Sequence, residues 1–205
     1  MPGINEERLI RARKCERLGV RYAVFGEHRF CPVCGPLPAL TTALDALGAE
    51  TARLDLLGDL PSDARRPLQE SGVLDRTYAD TVENIVGIVE TIAARAYREL
   101  VPGADARLLG KGNVFQRLDD LTDLFLDAGG DLRASVDLSW AELRATWAAR
   151  HVFTHRDGIV DDKYLRAVPN SGLTAGQRLR ATHDLARAAI RDAEALCRAI
   201  AEPRA

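Results

Sequence analysis

Aromatic residues are scarce in this sequence, at 5% of 205 positions. Long apolar runs are missing too. No window approaches 18 uninterrupted apolar residues, which excludes a membrane-spanning helix. Cysteine is sparse: Cys15, Cys31, Cys34 and Cys197 are too few and too uneven for a secreted disulfide scaffold. A surplus of positive charge is also lacking, with 28 Lys and Arg against 30 Asp and Glu and a net charge of −2. That balance rules against a protein that coats nucleic acid non-specifically, so any such contact must come from a local patch. The first thirteen residues are charged and carry no apolar stretch of the signal-peptide kind. The expected compartment is the cytoplasm, with thiols reduced or metal-bound.

What is present is helix-forming. Ala, Leu and Arg dominate, and all three favour helix. Apolar spacing and stop signals predict helices over 4–18, 39–57, 74–100, 113–128, 139–155 and 161–167, and a last helix from Thr174 to about Ala201. Pro67 to Glu70 reads as one further turn. Ser139-Trp140-Ala141-Glu142 and Thr174-Ala175-Gly176-Gln177 both fit a capping box. Val, Tyr and Phe around Gly26 predict a small hairpin within 20–30. The composition shifts near residue 36. The expected organisation is an N-terminal Cys/His segment over 1–36, then an all-α antiparallel helical bundle over 37–205.

The richest stretch is Arg150-His151-Val-Phe-Thr-His155-Arg156-Asp157-Gly158-Ile-Val-Asp161-Asp162-Lys163. His151 and His155, four apart, share a helical face. Arg150 and His155 lie about 140° apart on an ideal helix and do not. Histidine titrates near neutrality and can serve as acid or base. Arginine stays charged and grips two phosphate oxygens at once. Cations near a helix C-terminus are also favoured by its dipole alone, so these residues have a plain structural reading as well. A catalytic metal on His151 and His155 is disfavoured, because Val152 stands where the zincin pattern needs Glu.

Arg-x4-His at a helix end, followed by a Gly-Ile-Val-Asp loop and a short helix, resembles the HEPN superfamily (higher eukaryotes and prokaryotes nucleotide-binding). The resemblance covers roughly Leu74 to Ala201. It implies a homodimeric, metal-independent endoribonuclease acting on RNA, with two motif helices facing across a shared cleft. Arg150 and His155 take the family's motif Arg and His. His151 takes a polar position that is often Asn, which is a departure. The resemblance also implies a place in toxin–antitoxin or phage-defence systems, with an antitoxin protein as a partner. Other members of the family keep the helices and cleave nothing, so a non-catalytic module binding nucleotide, RNA or protein is the rival expectation.

His28-x2-Cys31-Pro-Val-Cys34-Gly looks like one knuckle of a zinc ribbon. Thiolates at this spacing can grip one tetrahedral metal. No second Cys-x-x-Cys exists, so Cys15 and His28 are the candidates to complete a structural zinc site with Cys31 and Cys34. Reduced thiols in a decayed knuckle are the alternative, and a redox role is weaker, because Pro36 and Pro38 follow at once. Cys197 is expected in the core, the loop at Gly110–Asn113 as a connector, His183 as a surface residue within the last helix, and Trp140 and Trp147 in the core or a dimer contact.

Overall fold

The computed structural model describes residues 10–26 and 28–203. Residues 4–9 of the first expected helix lie outside the described residues, and residues 10–18 are not helical. Ile10–Lys14 is a strand, β1, paired antiparallel with β2, Arg21–Phe25. The register sets Ala12 against Ala23 and Lys14 against Arg21. The reason lies in a period of two that a helical pattern does not capture. Arg11 and Arg13 face inward and both reach Asp45, while Ala12 and Lys14 face out. Gly19, at φ 69°, does not end a helix. It turns the chain between the strands, with its amide bonded to the Cys15 carbonyl at 2.7 Å.

No hairpin closes within 20–30 among the described residues: only β2 lies wholly there, paired back to β1, and a second hairpin follows it. The second pairs β3, Phe30–Cys31, with β4, Gly35–Pro36, across the Cys-Pro-Val-Cys turn. Asp45 on the first helix anchors this element. Burial opposes its charge, but Arg11, Arg13 and the His28 backbone amide hold its carboxyl below the ordinary value.

The rest is helical: α1 Ala39–Gly58, α2 Ser62–Glu70, α3 Val73–Leu100, α4 Ala104–Leu108, α5 Leu118–Asp127, α6 Leu132–Ser135, α7 Trp140–Arg156, α8 Asp162–Ala167 and α9 His183–Ala201. The long α3 is the centre. It packs against α1, α7 and α9, and Val82, Ile85, Val89 and Ala93 have no exposed surface. Each large aliphatic side chain buried this fully contributes about 1.5–3 kcal/mol.

Three boundaries differ from expectation. The helix expected over 113–128 is split, with a 3-10 turn at Val114–Gln116 before α5. Pro67 lies inside α2, whose first turn carries no apolar periodicity to announce it. The last helix starts at His183, capped by the Thr182 side chain on the Leu185 amide, not at Thr174. Half of the Thr174 capping box does form, since Gln177 Oε1 accepts from the Thr174 amide at 2.9 Å. Gly176 then adopts φ 88°, and the chain turns off to pair with the loop after α7. Val160 donates to the Gln177 carbonyl and Leu179 to that of Gly158, both at 2.8 Å.

Candidate functional site

The end of α7 is shaped by an unusual residue. Asp157 has φ 50°, the only positive φ among the described non-glycine residues. Its amide and that of Gly158 both return to the Val152 carbonyl, which closes the helix. The chain then makes the short pairing with 176–179 and enters α8, whose first turn Asp161 caps through the Tyr164 amide at 2.9 Å. A helix end, a strained residue and a capped helix start thus enclose one corner.

His151 and His155 meet in that corner, with ring centroids 5.1 Å apart and planes tilted by 58°. His151 is half-buried and His155 exposed. The His151 pKa lies below the ordinary histidine value. Burial is the main cause, and the charges of Lys163, His155 and Arg150 act the same way, against Asp161. Arg156 pairs with Asp161 at 3.4 Å. The Asp161 carboxyl is held low, chiefly by the Tyr164 amide and then by Arg156 and His151.

Arg150 faces elsewhere. It lies on the Trp147 side of α7 and donates from Nη2 to Gln116 Oε1 at 3.5 Å, the long limit of a hydrogen bond. Gln116 in turn donates to Glu90 at 2.7 Å, and its carbonyl accepts from Trp147 Nε1 at 3.0 Å. Arg150 Nε is buried with no partner among the described residues. The structure therefore brings His151 and His155 together and ties Arg150 to a different neighbour. Gln116 and Glu90 are not candidates on sequence grounds, and Lys163 stands out only as one charge of the exit loop. Nothing local marks Gln116 or Glu90, which reach the site only through packing.

The second constellation is the cysteine cluster. The sulfur atoms of Cys15, Cys31 and Cys34 lie within 4.8 Å of one another, and Cys15 and Cys34 are 3.2 Å apart. His28 is buried nearby but outside that group, its Nε2 paired with the Tyr22 hydroxyl at 2.7 Å. The Cys34 thiol is pushed up to about 11, first by its hydrogen bond with Cys15 and then by burial. Burial opposes ionisation at Cys31 too, but hydrogen bonds from the Val33 and Cys34 amides, with those of Cys15 and Tyr22, together hold that thiol below its ordinary value. Sulfurs this close resist ionising together, and a divalent cation removes that penalty. The three residues fit a metal ion.

A further signal lies in the sequence itself. Cys15-Glu-Arg-Leu18-Gly19 repeats the frame of Cys31-Pro-Val-Cys34-Gly35, with Cys15 just after β1, Cys31 ending β3, and each glycine at positive φ, 69° and 87°. Leu18 stands where the frame would carry a fourth cysteine.

The chain matches no protein-family model, no curated protein and no solved structure. Nothing in these comparisons identifies the chain as a HEPN protein.

The remaining residues are placed plainly. Cys197 is fully buried, its thiol pushed up by burial to about 12. Trp147 is in the core, and Trp140 is half-buried with the Arg133 guanidinium 5.3 Å from its ring centre. His183 opens α9 and is half-buried, set edge-on to Tyr78 at 5.9 Å. Gly110–Asn113 is an exposed connector. No helix among the described residues is long and apolar enough to cross a membrane.

Proposed function

We propose that the end of α7 and the start of α8 form the active corner of a HEPN-type, metal-independent endoribonuclease. The observation that carries this is the His151–His155 pair, 5.1 Å apart, with Lys163 and the Arg156–Asp161 ion pair beside it. In the reaction the RNA 2′-hydroxyl attacks the adjacent phosphorus and loses its proton to a base. The bond from phosphorus to the 5′-oxygen breaks, and an acid protonates that oxygen. The products are a 2′,3′-cyclic phosphate and a 5′-hydroxyl. His151, disfavoured in its charged form, suits the base. His155 takes the opposite proton task. Arg150 supplies the guanidinium that stabilises the charged phosphorane, once it leaves Gln116.

Within one chain Arg150 and His155 lie on different sides of α7. A homodimer with two facing α7 helices brings the arginine of each copy to the histidines of the other. Such an enzyme belongs in the cytoplasm, as a defence or toxin nuclease held in check by an antitoxin protein. The inward Arg150–Gln116 contact favours a second reading, a module of the same fold that binds nucleotide, RNA or a protein partner without cutting. End-group analysis separates them. Fragments ending in 2′,3′-cyclic phosphate support the nuclease, and RNA bound but intact supports the module.

For the N-terminal element we propose a structural zinc held by Cys15, Cys31 and Cys34, with His28 as fourth ligand after its ring leaves the Tyr22 hydroxyl. The donor set supports this, three sulfurs and an imidazole at the start of the bundle. Zinc measured at one per chain, and lost in Cys31→Ser, is the expected result. A wild-type chain that takes up no zinc on reconstitution contradicts it.

A further inference from the structure

The β1–β2 sheet has two different faces. One carries Arg11, Arg13, Tyr22 and Val24, all half-buried, and is tied to α1 through Asp45. The other carries Ala12, Lys14, Arg21, Ala23 and Phe25, and all five are exposed. The exposure is pronounced at Phe25, with 73% of its surface open. The chain has five phenylalanines; Phe115 and Phe125 are buried, Phe153 is half-buried, and the two exposed ones, Phe25 and Phe30, both lie in this element. Aromatic surface is scarce in the molecule, so its display here needs a cause.

Charge points the same way. Residues 10–36 carry six Lys and Arg against two Asp and Glu, a net +4 within a chain of −2, which leaves −6 for the remainder. Arg11 and Arg13 are spent on Asp45. Lys14 and Arg21 are paired across the open face instead, and neither strand contains a carboxylate. Two like charges directly opposite destabilise a hairpin unless an anion lies over them. The Ala12–Ala23 pair between them and Phe25 gives a flat, low floor. From Phe25 to Arg21 the strand spans about 13 Å.

We propose that this open face binds single-stranded nucleic acid, with a base stacked on Phe25 and backbone phosphates on Lys14 and Arg21. A ring platform beside cations is the arrangement that holds such strands without reading sequence. The site is separate from α7, so a common His155→Ala background removes cleavage from the test without touching the face.

The test is fluorescence anisotropy of a labelled mixed-sequence 12-nucleotide RNA with the zinc-loaded full chain, over a range of salt. Phe25→Leu keeps apolar bulk and removes the ring; it is expected to weaken binding roughly tenfold. Phe25→Trp should bind as well as the parent or better. Lys14→Gln with Arg21→Gln should lower the slope of log affinity against log salt by about 1.4, the value for two phosphate contacts on a single strand. Retained zinc and far-UV circular dichroism establish that each variant is folded. Affinity unchanged in folded Phe25→Leu and in the double variant overturns the proposal, as does a parent that binds no RNA. Polyglutamate displacing the RNA at equal charge concentration also overturns it, in favour of an acidic protein segment.

Discussion

At the scale of single residues, His151 sets the pH behaviour. Its folded pKa lies below the ordinary value, so the folded state prefers the neutral ring. Above the ordinary histidine value near 6.5 the ring is neutral in both states and costs the fold nothing. As pH falls from there through the lowered folded value, protonation favours the unfolded chain and stability declines. The same shift serves a base, which must be free of its proton. The acid limb of the cleavage rate should therefore lie below the ordinary histidine value. Lys163→Ala removes one of the charges that depress His151. A single-turnover pH profile should then show the acid limb displaced to higher pH; a limb that stays put separates His151 from the base role. Leu18 makes a second prediction at this scale. It fills the fourth place of the repeated knuckle frame, so Leu18→Cys should restore zinc binding to a chain weakened by His28→Ala. Chelator competition measures both affinities, and no loss in His28→Ala removes His28 from the ligand set.

At the scale of elements, the α7–α9 seam holds a buried carboxylate. Thr146 donates to Asp192 at 2.7 Å, and Asp192 is only 7% exposed. Burial raises its pKa, so its contribution to stability is present at acid pH and is lost as pH rises from the ordinary aspartate value through the folded one. Asp192→Asn keeps an acceptor for Thr146 and removes the buried charge. Its Tm at pH 7 should rise by roughly 2–4 °C, the shift that about 1 kcal/mol gives in a domain of this size. The gain should vanish as pH falls below the ordinary aspartate value. The N-terminal element behaves differently, because it is small and five of its large apolar side chains, Leu18, Val20, Phe25, Phe30 and Val33, are exposed. Zinc removal or Cys31→Ser should open residues 10–36 to protease and leave the bundle helical, as read by circular dichroism.

Elements also show what sequence can and cannot tell. The helices α1, α3, α7 and α8 are legible to within about a residue or two, because long apolar periodicity and Pro or Gly stops act locally. Strand β1 is not legible. Its alternation is of arginines held by Asp45, thirty and more positions away, and a hydrophobic period cannot report that. Thr174–Gln177 mimics a helix start, and only its long-range pairing with Gly158 and Val160 shows why the helix is delayed to His183. In the site, the His151–His155 pair comes from a spacing of four, and its neighbour Lys163 from the exit loop. Gln116 and Glu90 have no such local sign, since they meet Arg150 only when α3 and the 3-10 turn pack on α7.

At the scale of the whole molecule, the structure holds two clusters of polar side chains: the His pair at the end of α7 and the three cysteines on the N-terminal hairpins. The proposed nuclease needs a second copy, because Arg150 and His155 lie on different sides of one helix. Sedimentation should show a dimer, and a mixture of Arg150→Ala and His155→Ala chains should recover part of the activity that each has lost, through heterodimers that keep one complete site. The measurement that bears most directly on the nuclease is cleavage of mixed cellular RNA in EDTA, with zinc content followed in parallel, by wild type, Arg150→Ala and His155→Ala. The expected result is cutting by wild type, 2′,3′-cyclic phosphate ends, and a loss of about 10²–10⁴-fold in His155→Ala. Folded, dimeric wild-type protein that leaves the RNA intact would contradict the nuclease and leave the binding module in its place.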